Sequence, residues 1–282
     1  MESKPDLFLE ILVHDINIKP GLTGLCAGFE NGEWRCDALA SHLIEWLPEF
    51  ALSWSEYQSL QGYNALFLIR RAAKVVYSTD KYSKRGEFGE LLLHVAMRQV
   101  FDTLPAISKI YYKSAQNDPV KGFDAVHVVA FKENLELWLG EAKFYNEPYK
   151  AISDVIKELE AHTKRDYLRT EFALITNKMD EKWPHYDKLK RLLHPNTSLD
   201  DVFVRTCIPV LITYDSKTVT NFSSKTSEYI TEFEKEVRHF YSIFNNKSLP
   251  STLRIHIFFV PLKSKKDLVA ELHKRLEACQ SI

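Results

Sequence analysis

From Gly86 onwards, segments that alternate apolar and polar residues are interleaved with segments whose apolar residues recur at helical spacing. The period of two, or a short apolar run, predicts a hairpin over residues 121–144 and strands in FALITN, IPVLITY and LRIHIFFV. Helices are predicted in EFGELLLHVAMRQVF, YKAISDVIKELEAH, HYDKLKRLLH, SEYITEFEKEVRHFYSIF and SKKDLVAELHKRLEA, the last with a serine available as N-cap. Strands that alternate with helices indicate an α/β layer structure.

The first 80 residues have a different organisation. DLFLEILVHDINI predicts one early strand, and PGLTGLCAGFENGEW predicts a loop with four glycines. Two helical stretches follow, from about residue 37 to 52 and from 55 to 77, and the polar segment STDKYSKRG is the predicted junction. The sequence therefore predicts a mostly helical N-terminal lobe over residues 1–80 and a core over residues 81–282.

Composition excludes some classes of protein. The 282-residue chain is 45% hydrophobic, as in a well-packed globule, and its formal charge of −1 excludes a globally basic nucleic-acid-binding protein. We expect no membrane segment, because no run approaches 18 uncharged apolar residues. The lack of a signal peptide and of paired or zinc-like cysteine spacing predicts free thiols in a reducing cytoplasm.

The hairpin segment KGFDAVHVVAFKENLELWLGEAKFYN contains charges at the end of an apolar row. Glu141 and Lys143 continue the row of alternate leucines in LELWLG, because strand side chains two residues apart point to the same face. Asp124 begins the other arm. Since the two distal ends of a hairpin meet, we expect Asp124 to approach Glu141.

Four acidic-x-lysine triplets occur in the chain, and a composition with 27% charged residues produces such triplets by accident. Glu2–Lys4 lies at the terminus, and Asp180–Lys182 lies in the polar run NKMDEKWP. Asp215–Lys217 follows the predicted strand IPVLITY and is the one serious rival. Only Glu141–Lys143 lies in a strand whose hairpin partner begins with another acid. This context favours Glu141–Lys143 as the triplet with a catalytic role.

Two side-by-side carboxylates repel each other unless a cation lies between them. Mg²⁺ suits such a site, with Mn²⁺ as the alternative, since it takes oxygen ligands and keeps several waters. Lys143 would then orient a metal-bound water or help to deprotonate it, and would offset charge on a pentavalent phosphate. The competing interpretation makes Asp124 a turn residue, and Glu141 and Lys143 a solvated ion pair.

One helix carries further candidates. Glu87, Glu90 and His94 share a stripe of the predicted helix EFGELLLHVAMRQVF. Glu90 begins a mostly buried helix, where a carboxylate needs a metal ion or a basic partner. Glu87 is also explained by the helix dipole, which favours acids in the first turn, and His94 by packing in the core. Glu87 and His94 are therefore accessory candidates only.

Basic residues gather around these elements and predict a rim that follows the phosphates of a nucleic acid. The phosphate-binding candidates are Lys84, Arg85, Lys121 and Lys150, with Lys81, Lys113 and Lys157 nearby. Tyr111, Tyr112, Tyr145 and Tyr149 are candidates for stacking on bases. Taken singly, each of these residues is also explained as a surface charge or a packing residue.

In this order, RGEFGE, GFD and GEAK resemble the motifs of the PD-(D/E)XK nuclease superfamily. The Arg85-Gly86-x-x-x-Glu90 segment is similar to the helical element of that pattern, Asp124 to the acid that opens the hairpin, and Glu141-Ala142-Lys143 to (D/E)xK. The superfamily's proline is replaced by Phe123, at a position that varies among its members. The similarity is strongest from residue 86 to 177.

The chain also resembles the HamA family, the nuclease subunits of the bacterial Hachiman anti-phage defence system. The segments that carry this resemblance are GEFGELLLHV, GFDAVHVV and WLGEAKFY. Together the resemblances imply a restriction-endonuclease-like core with a mixed central sheet flanked by helices. They imply Mg²⁺ held by Asp124, Glu141 and the Ala142 carbonyl, with Glu90 as a direct or water-mediated ligand and Lys143 as the fourth catalytic residue.

The implied function is metal-dependent hydrolysis of DNA in a defence complex, restrained by and coupled to a superfamily 2 helicase. The chain has no GxxxxGK[ST] phosphate loop, so an ATP-driven step requires another protein. Partner docking is the role we assign to residues 1–80. Two alternatives stay open: a standalone restriction or repair endonuclease, and a catalytically inactive assembly subunit with a nuclease fold. The metal chemistry does not separate DNA from RNA.

Overall fold

The computed structural model describes residues 4–76, 86–108, 122–131, 134–247 and 254–282. The strands within these ranges are β1 (Glu10–Asp15), β2 (Gly21–Cys26), β3 (Phe29–Glu30), β4 (Glu33–Trp34), β5 (Leu104–Ser108), β6 (Ala125–Phe131), β7 (Asn134–Phe144), β8 (Thr206–Asp215) and β9 (Arg254–Leu262). The helices are α1 (Cys36–Glu45), α2 (Leu47–Ala51), α3 (Trp54–Gln58), α4 (Ala65–Val76), α5 (Glu87–Phe101), α6 (Pro148–His162), α7 (Arg165–Lys178), α8 (Tyr186–Leu192), α9 (Leu199–Phe203), α10 (Lys217–Asn221), α11 (Ser227–Asn245) and α12 (Lys265–Ser281).

A seven-stranded sheet in the order β1-β2-β9-β8-β7-β6-β5 forms the centre of the molecule. The four central strands β2, β9, β8 and β7 run parallel to one another, whereas β1 pairs antiparallel with β2, β6 with β7, and β5 with β6. Helices cover both faces: Leu93 of α5 packs at Gly140 of β7, and His162 of α6 meets Glu141 on the other face. The prediction of a mixed sheet flanked by helices is therefore confirmed.

The predicted hairpin is present as β6 and β7. Its register runs from Ala125 opposite Gly140 to Phe131 opposite Asn134. Most of β7 is buried on both faces, because α5 covers one face and α6 the other. The predicted C-terminal helix is α12, and the hydroxyl oxygen of Ser264 accepts a hydrogen bond from the backbone N–H of Asp267, as an N-cap does.

Two predictions of local structure are wrong. FALITN is not a strand, since it forms the second half of α7. Its apolar residues continue a helical row, with Leu168, Phe172 and Ile175 buried at a spacing of four and three residues. The segment PGLTGLCAGFENGEW is not a loop throughout, because it contains the fully buried strand β2. A Cβ at Gly21 would collide with the imidazole of His256, so this glycine allows β2 to lie close to β9.

The N-terminal residues contribute to the same sheet as the rest of the chain. Strand β2 pairs with β9, β1 pairs with β2, and helices α1 and α4 pack against α12. The boundary at residue 80 lies outside the described residues, and the division into lobe and core stays a prediction. The two predicted helical stretches of this region are four helices, α1 to α4.

Two histidines are buried inside this sheet. His127 of β6 is 1% exposed, and burial, together with the charges of His94 and Arg98, holds its pKa well below the usual value. Nε2 of His256 lies 2.8 Å from the Thr23 hydroxyl, and burial lowers its pKa to about 3. Both rings are neutral in the folded protein at neutral pH.

These histidines predict a loss of stability in mild acid. Below a pH of about 6.5 the unfolded chain binds protons that folded His127 and His256 reject, so the free energy of unfolding falls as the pH falls. The expected slope is about 1.4 kcal/mol per pH unit for each histidine. Urea unfolding at pH 7, 6 and 5 measures it. His256→Gln should reduce the slope, and equal midpoints at the three pH values would contradict the assignment.

Candidate functional site

Two buried carboxylates meet at one end of the β6–β7 hairpin. Asp124 immediately precedes β6, and its Oδ2 accepts a hydrogen bond of 2.8 Å from the backbone N–H of Ala142. Its own N–H donates to the Gly140 carbonyl at 2.8 Å. Asp124 is 6% exposed and Glu141, on the neighbouring strand, is 1% exposed. The hairpin register thus holds two acidic side chains side by side at the sheet surface that α6 covers.

Lys143 lies on the same face of β7 as Glu141 and is 7% exposed. Its Nζ forms an ion pair with Oε2 of Glu158, which lies on α6. Burial disfavours the ammonium, but the hydrogen bond to Glu158 and the charges of Glu141 and Asp124 outweigh burial and raise the pKa of Lys143 above its usual value. Lys143 is therefore a cation at neutral pH, beside the two carboxylates.

His162, in the last turn of α6, is a member of this site that the sequence analysis missed. Its Nδ1 lies 2.5 Å from Oε1 of Glu141. The imidazole stacks on the ring of Tyr167, with centroids 4.3 Å apart and planes 10° apart, and meets the edge of Phe123. The spacing of Glu158 and His162, four residues apart on a predicted helix that follows the (D/E)xK strand, is the signal that points to this pair.

Glu171 of α7 is a second carboxylate that the sequence analysis missed. It is buried, and its Oε1 accepts a hydrogen bond of 3.2 Å from the backbone N–H of Phe123. A Cβ at Gly122, where φ is +157°, would lie 3.0 Å from the same oxygen. Gly122 and Glu171 therefore fix the chain just before Asp124.

Helix α5 approaches β7 from the opposite face. A Cβ at Gly89 would lie 2.6 Å from Cβ of Phe144, and Leu93 packs at Gly140, so α5 runs antiparallel along β7. This places Glu90, which is buried in the first turn of α5, at the same end of β7 as Lys143. Glu87 is buried in the same turn. The structure therefore brings Asp124, Glu141 and Lys143 together on one face, whereas Glu90 belongs to the helix that covers the opposite face at this end.

His94 belongs to a separate cluster, a closed ring of buried polar side chains that we call the Glu49 ring. The ring consists of Glu49, His94, His127, Thr103 and Arg98. His94 Nε2 lies 2.9 Å from Glu49 Oε2, and its Nδ1 lies 3.2 Å from Nε2 of His127. His127 Nδ1 lies 2.8 Å from the Thr103 hydroxyl, and Arg98 donates to the Thr103 carbonyl and to Glu49. This placement favours a structural role for His94.

The phosphate-binding candidates are described only in part. Lys84, Arg85 and Lys121 lie outside the described residues, as do Lys81, Lys113, Tyr111 and Tyr112. Lys150 is exposed, and its Nζ lies 5.6 Å from the ring centroid of Tyr145. A further half-buried cation, Lys265, lies over the ring of Phe144 at 5.0 Å, and burial lowers its pKa. This end of β7 thus has a cation on the α12 side.

Two of the rival acidic-x-lysine triplets have structural roles, and Glu2 of the third lies outside the described residues. The Asp215 carboxylate ends β8 and accepts a hydrogen bond of 2.6 Å from the backbone N–H of Lys265. Asp180 accepts hydrogen bonds from the backbone N–H groups of Ser55 and Lys182, at 2.7 and 3.0 Å. These two carboxylates anchor loops to neighbouring elements, whereas Glu141 shares a strand face with Lys143, and Asp124 lies at the start of the adjacent strand.

The donor set at the hairpin end fits a hard divalent cation. Among the described residues, no group of three or more His, Cys, Asp and Glu side chains lies close enough to enclose a metal ion. Mg²⁺ does not require such a cage, because it keeps several waters and uses only one or two protein carboxylates. Asp124 and Glu141 are two buried carboxylates at adjoining strand ends, which is a set of oxygen ligands of the kind Mg²⁺ takes.

Comparison with known proteins identifies the family of the chain. A model of the HamA family matches residues 5–276 of the chain. No curated protein matches the chain.

Within the residues that the structure describes, every helix is too short or too polar to cross a membrane.

Proposed function

The chain belongs to the HamA family and is a Hachiman defence-related protein, and from this premise we propose that it is a metal-dependent nuclease that hydrolyses phosphodiester bonds of DNA. The observation that carries the proposal is the convergence of Asp124, Glu141 and Lys143, all buried, at one end of a hairpin. We assign the sheet and its helices to a restriction-endonuclease-like, PD-(D/E)XK core.

The proposed roles follow from the chemistry of each group. Asp124 and Glu141, with the Ala142 carbonyl, would hold Mg²⁺ or Mn²⁺, and Glu90 would bind the metal directly or through water. When bound there, the metal would supply a water of lowered pKa and would polarise a phosphoryl oxygen. Lys143 acts as a charged donor: it orients the attacking water and offsets the negative charge that develops on the phosphate.

The proposed partner is a superfamily 2 helicase, which supplies the ATP-driven step and restrains the nuclease. We assign its docking to residues 1–80, in which Leu66 and Phe67 of α4 are 61% and 64% exposed. Deletion of residues 1–80 would remove β2, which pairs with β9, so it would damage the sheet as well as the proposed docking surface. Phe67→Asp is the cleaner variant, and we expect it to reduce retention of the co-expressed helicase.

Plasmid cleavage by the purified protein tests the proposed activity. We expect cleavage with Mg²⁺ and none with EDTA, and Glu141→Gln should lose activity because it removes a ligand charge. Addition of the helicase and ATP should change the rate. Cleavage that is fast, site-specific and indifferent to the helicase would favour a standalone endonuclease. If the folded protein cleaves no DNA under any condition, an inactive assembly subunit is favoured. If it cleaves RNA but not DNA, the substrate is RNA.

A further inference from the structure

The face of α6 that covers the candidate site carries two side chains whose chemistry matches the two residues beneath them. Glu158 forms an ion pair with Lys143, and Nδ1 of His162 lies 2.5 Å from Oε1 of Glu141. A carboxylate is thus opposite the ammonium, and an imidazole is opposite the carboxylate. We call Glu158 and His162 the α6 pair.

The spacing of the α6 pair matches the spacing of the strand residues. Four residues along a helix rise about 6 Å, and two residues along a strand advance about 6.6 Å. Both contacts can therefore form at once while helix and strand stay regular. Because Glu158 contacts the later strand residue and His162 the earlier one, α6 runs antiparallel to β7.

The position of the α6 pair is fixed by the packing of α6 and by aromatic contacts of His162. Ile152, Val155 and Leu159 of α6 are buried, which fixes the helix against the sheet. The imidazole of His162 is stacked on Tyr167 and abuts Phe123, so its orientation is set by two aromatic rings. The hydrophobic packing of α6 requires neither an acid at position 158 nor a histidine at 162.

We propose that Glu158 and His162 are positioning residues of the nuclease reaction. Glu158 sets the position of the Lys143 ammonium, and His162 sets the orientation of the Glu141 carboxylate, which would hold the metal. This inference rests on the proposed function. Groups that orient metal ligands and catalytic side chains are worth about 10- to 100-fold in metal affinity or activity.

The two residues are expected to have separable effects, because one contacts a metal ligand and the other contacts the catalytic cation. His162→Ala should weaken metal binding by about 10-fold or more, and excess metal should restore much of the cleavage rate. Glu158→Ala should lower the cleavage rate at saturating metal by about 10-fold, with an unchanged affinity for the metal. A purely structural role of α6 would not produce this division.

Calorimetric titration of the full chain with Mn²⁺ and measurement of plasmid cleavage over a range of Mn²⁺ concentrations test the inference. The variants are His162→Ala, His162→Asn, Glu158→Ala and Glu160→Ala. Asn keeps a nitrogen donor near the position of Nδ1, so His162→Asn should recover most of the lost Mn²⁺ affinity. Glu160 is exposed on the other side of the same helix, which makes Glu160→Ala the matched control. Thermal melting of each variant reports on folding.

The expected result is weaker Mn²⁺ binding for His162→Ala, rescue by His162→Asn, and a rate defect alone for Glu158→Ala. If both variants match Glu160→Ala while the wild type binds Mn²⁺ and cleaves DNA, the inference is overturned and the proposed function stands. Equal losses in melting temperature, affinity and rate for both variants would also overturn it. A wild-type protein that neither binds Mn²⁺ nor cleaves would remove the proposed function and this inference together.

Discussion

Lys143→Ala is expected to lower the rate of DNA cleavage by at least about 100-fold, because each electrostatic contribution of this kind is worth several kcal/mol at the transition state. The side chain is the cation beside Asp124 and Glu141, and the charges around it keep it protonated. Its removal takes away the donor that orients the water and the charge that faces the phosphate.

The fold should survive this substitution. Lys143 lies at the end of the apolar row of β7, and its partner Glu158 is 40% exposed, so the released carboxylate regains water. The measurement is the initial rate of plasmid cleavage with Mg²⁺, together with the melting temperature. Lys235→Ala is a suitable control, because it removes an exposed lysine paired with Glu232 on α11, away from the basic residues around the site. Cleavage by Lys143→Ala at a near-normal rate would refute the assignment.

The local part of this site could be predicted from the sequence because it depends on strand periodicity. Glu141 and Lys143 are two residues apart in a strand, so a period of two places them on one face whatever the rest of the fold is. Asp124 follows from the same argument, since a hairpin returns to its start. Helical periodicity likewise predicted α5, α6 and α12, whose apolar rows are regular.

The contacts that depend on how distant elements pack could not be predicted in this way. Periodicity predicts that YKAISDVIKELEAH is a helix, but the rotation of α6 that presents Glu158 and His162 to β7 depends on the sheet beneath it. Glu171 reaches Phe123 across 48 residues of chain. Strand β2 was missed because its glycines resemble a loop, and their purpose is apparent only beside Val13 and His256.

The Glu49 ring is also formed by elements distant in the sequence, so periodicity does not predict it, and it affects the stability of the fold. It joins α2 to α5 and β6, and so connects the N-terminal residues to the core. Burial alone would raise the pKa of Glu49, but contacts with His94 and Arg98 hold that pKa below its usual value, so Glu49 is ionised. A buried carboxylate of this kind is stable only while its cationic partner is present.

Arg98→Ala is therefore expected to lower the free energy of unfolding by about 3–5 kcal/mol, the cost of leaving a buried charge without its partner. Nε of Arg98 donates to Oε2 of Glu49 at 2.9 Å, and Nη1 donates to the Thr103 carbonyl at 2.5 Å. The side chains of Arg98 and Glu49 are 3% and 7% exposed, so water cannot replace the guanidinium unless the core opens. Urea unfolding at pH 7 measures the loss.

Arg71→Ala is the matched control, because Arg71 pairs with Glu56 but is 51% exposed, and exposed pairs contribute at most about 1 kcal/mol. The double variant Glu49→Gln with Arg98→Met should recover part of the loss, since it removes the buried charge together with its partner. If Arg98→Ala and Arg71→Ala unfolded at the same urea concentration, the buried Glu49–Arg98 pair would not have the stabilising role assigned to it. If the double variant were less stable than Arg98→Ala, the charge left on Glu49 would not be the source of the loss.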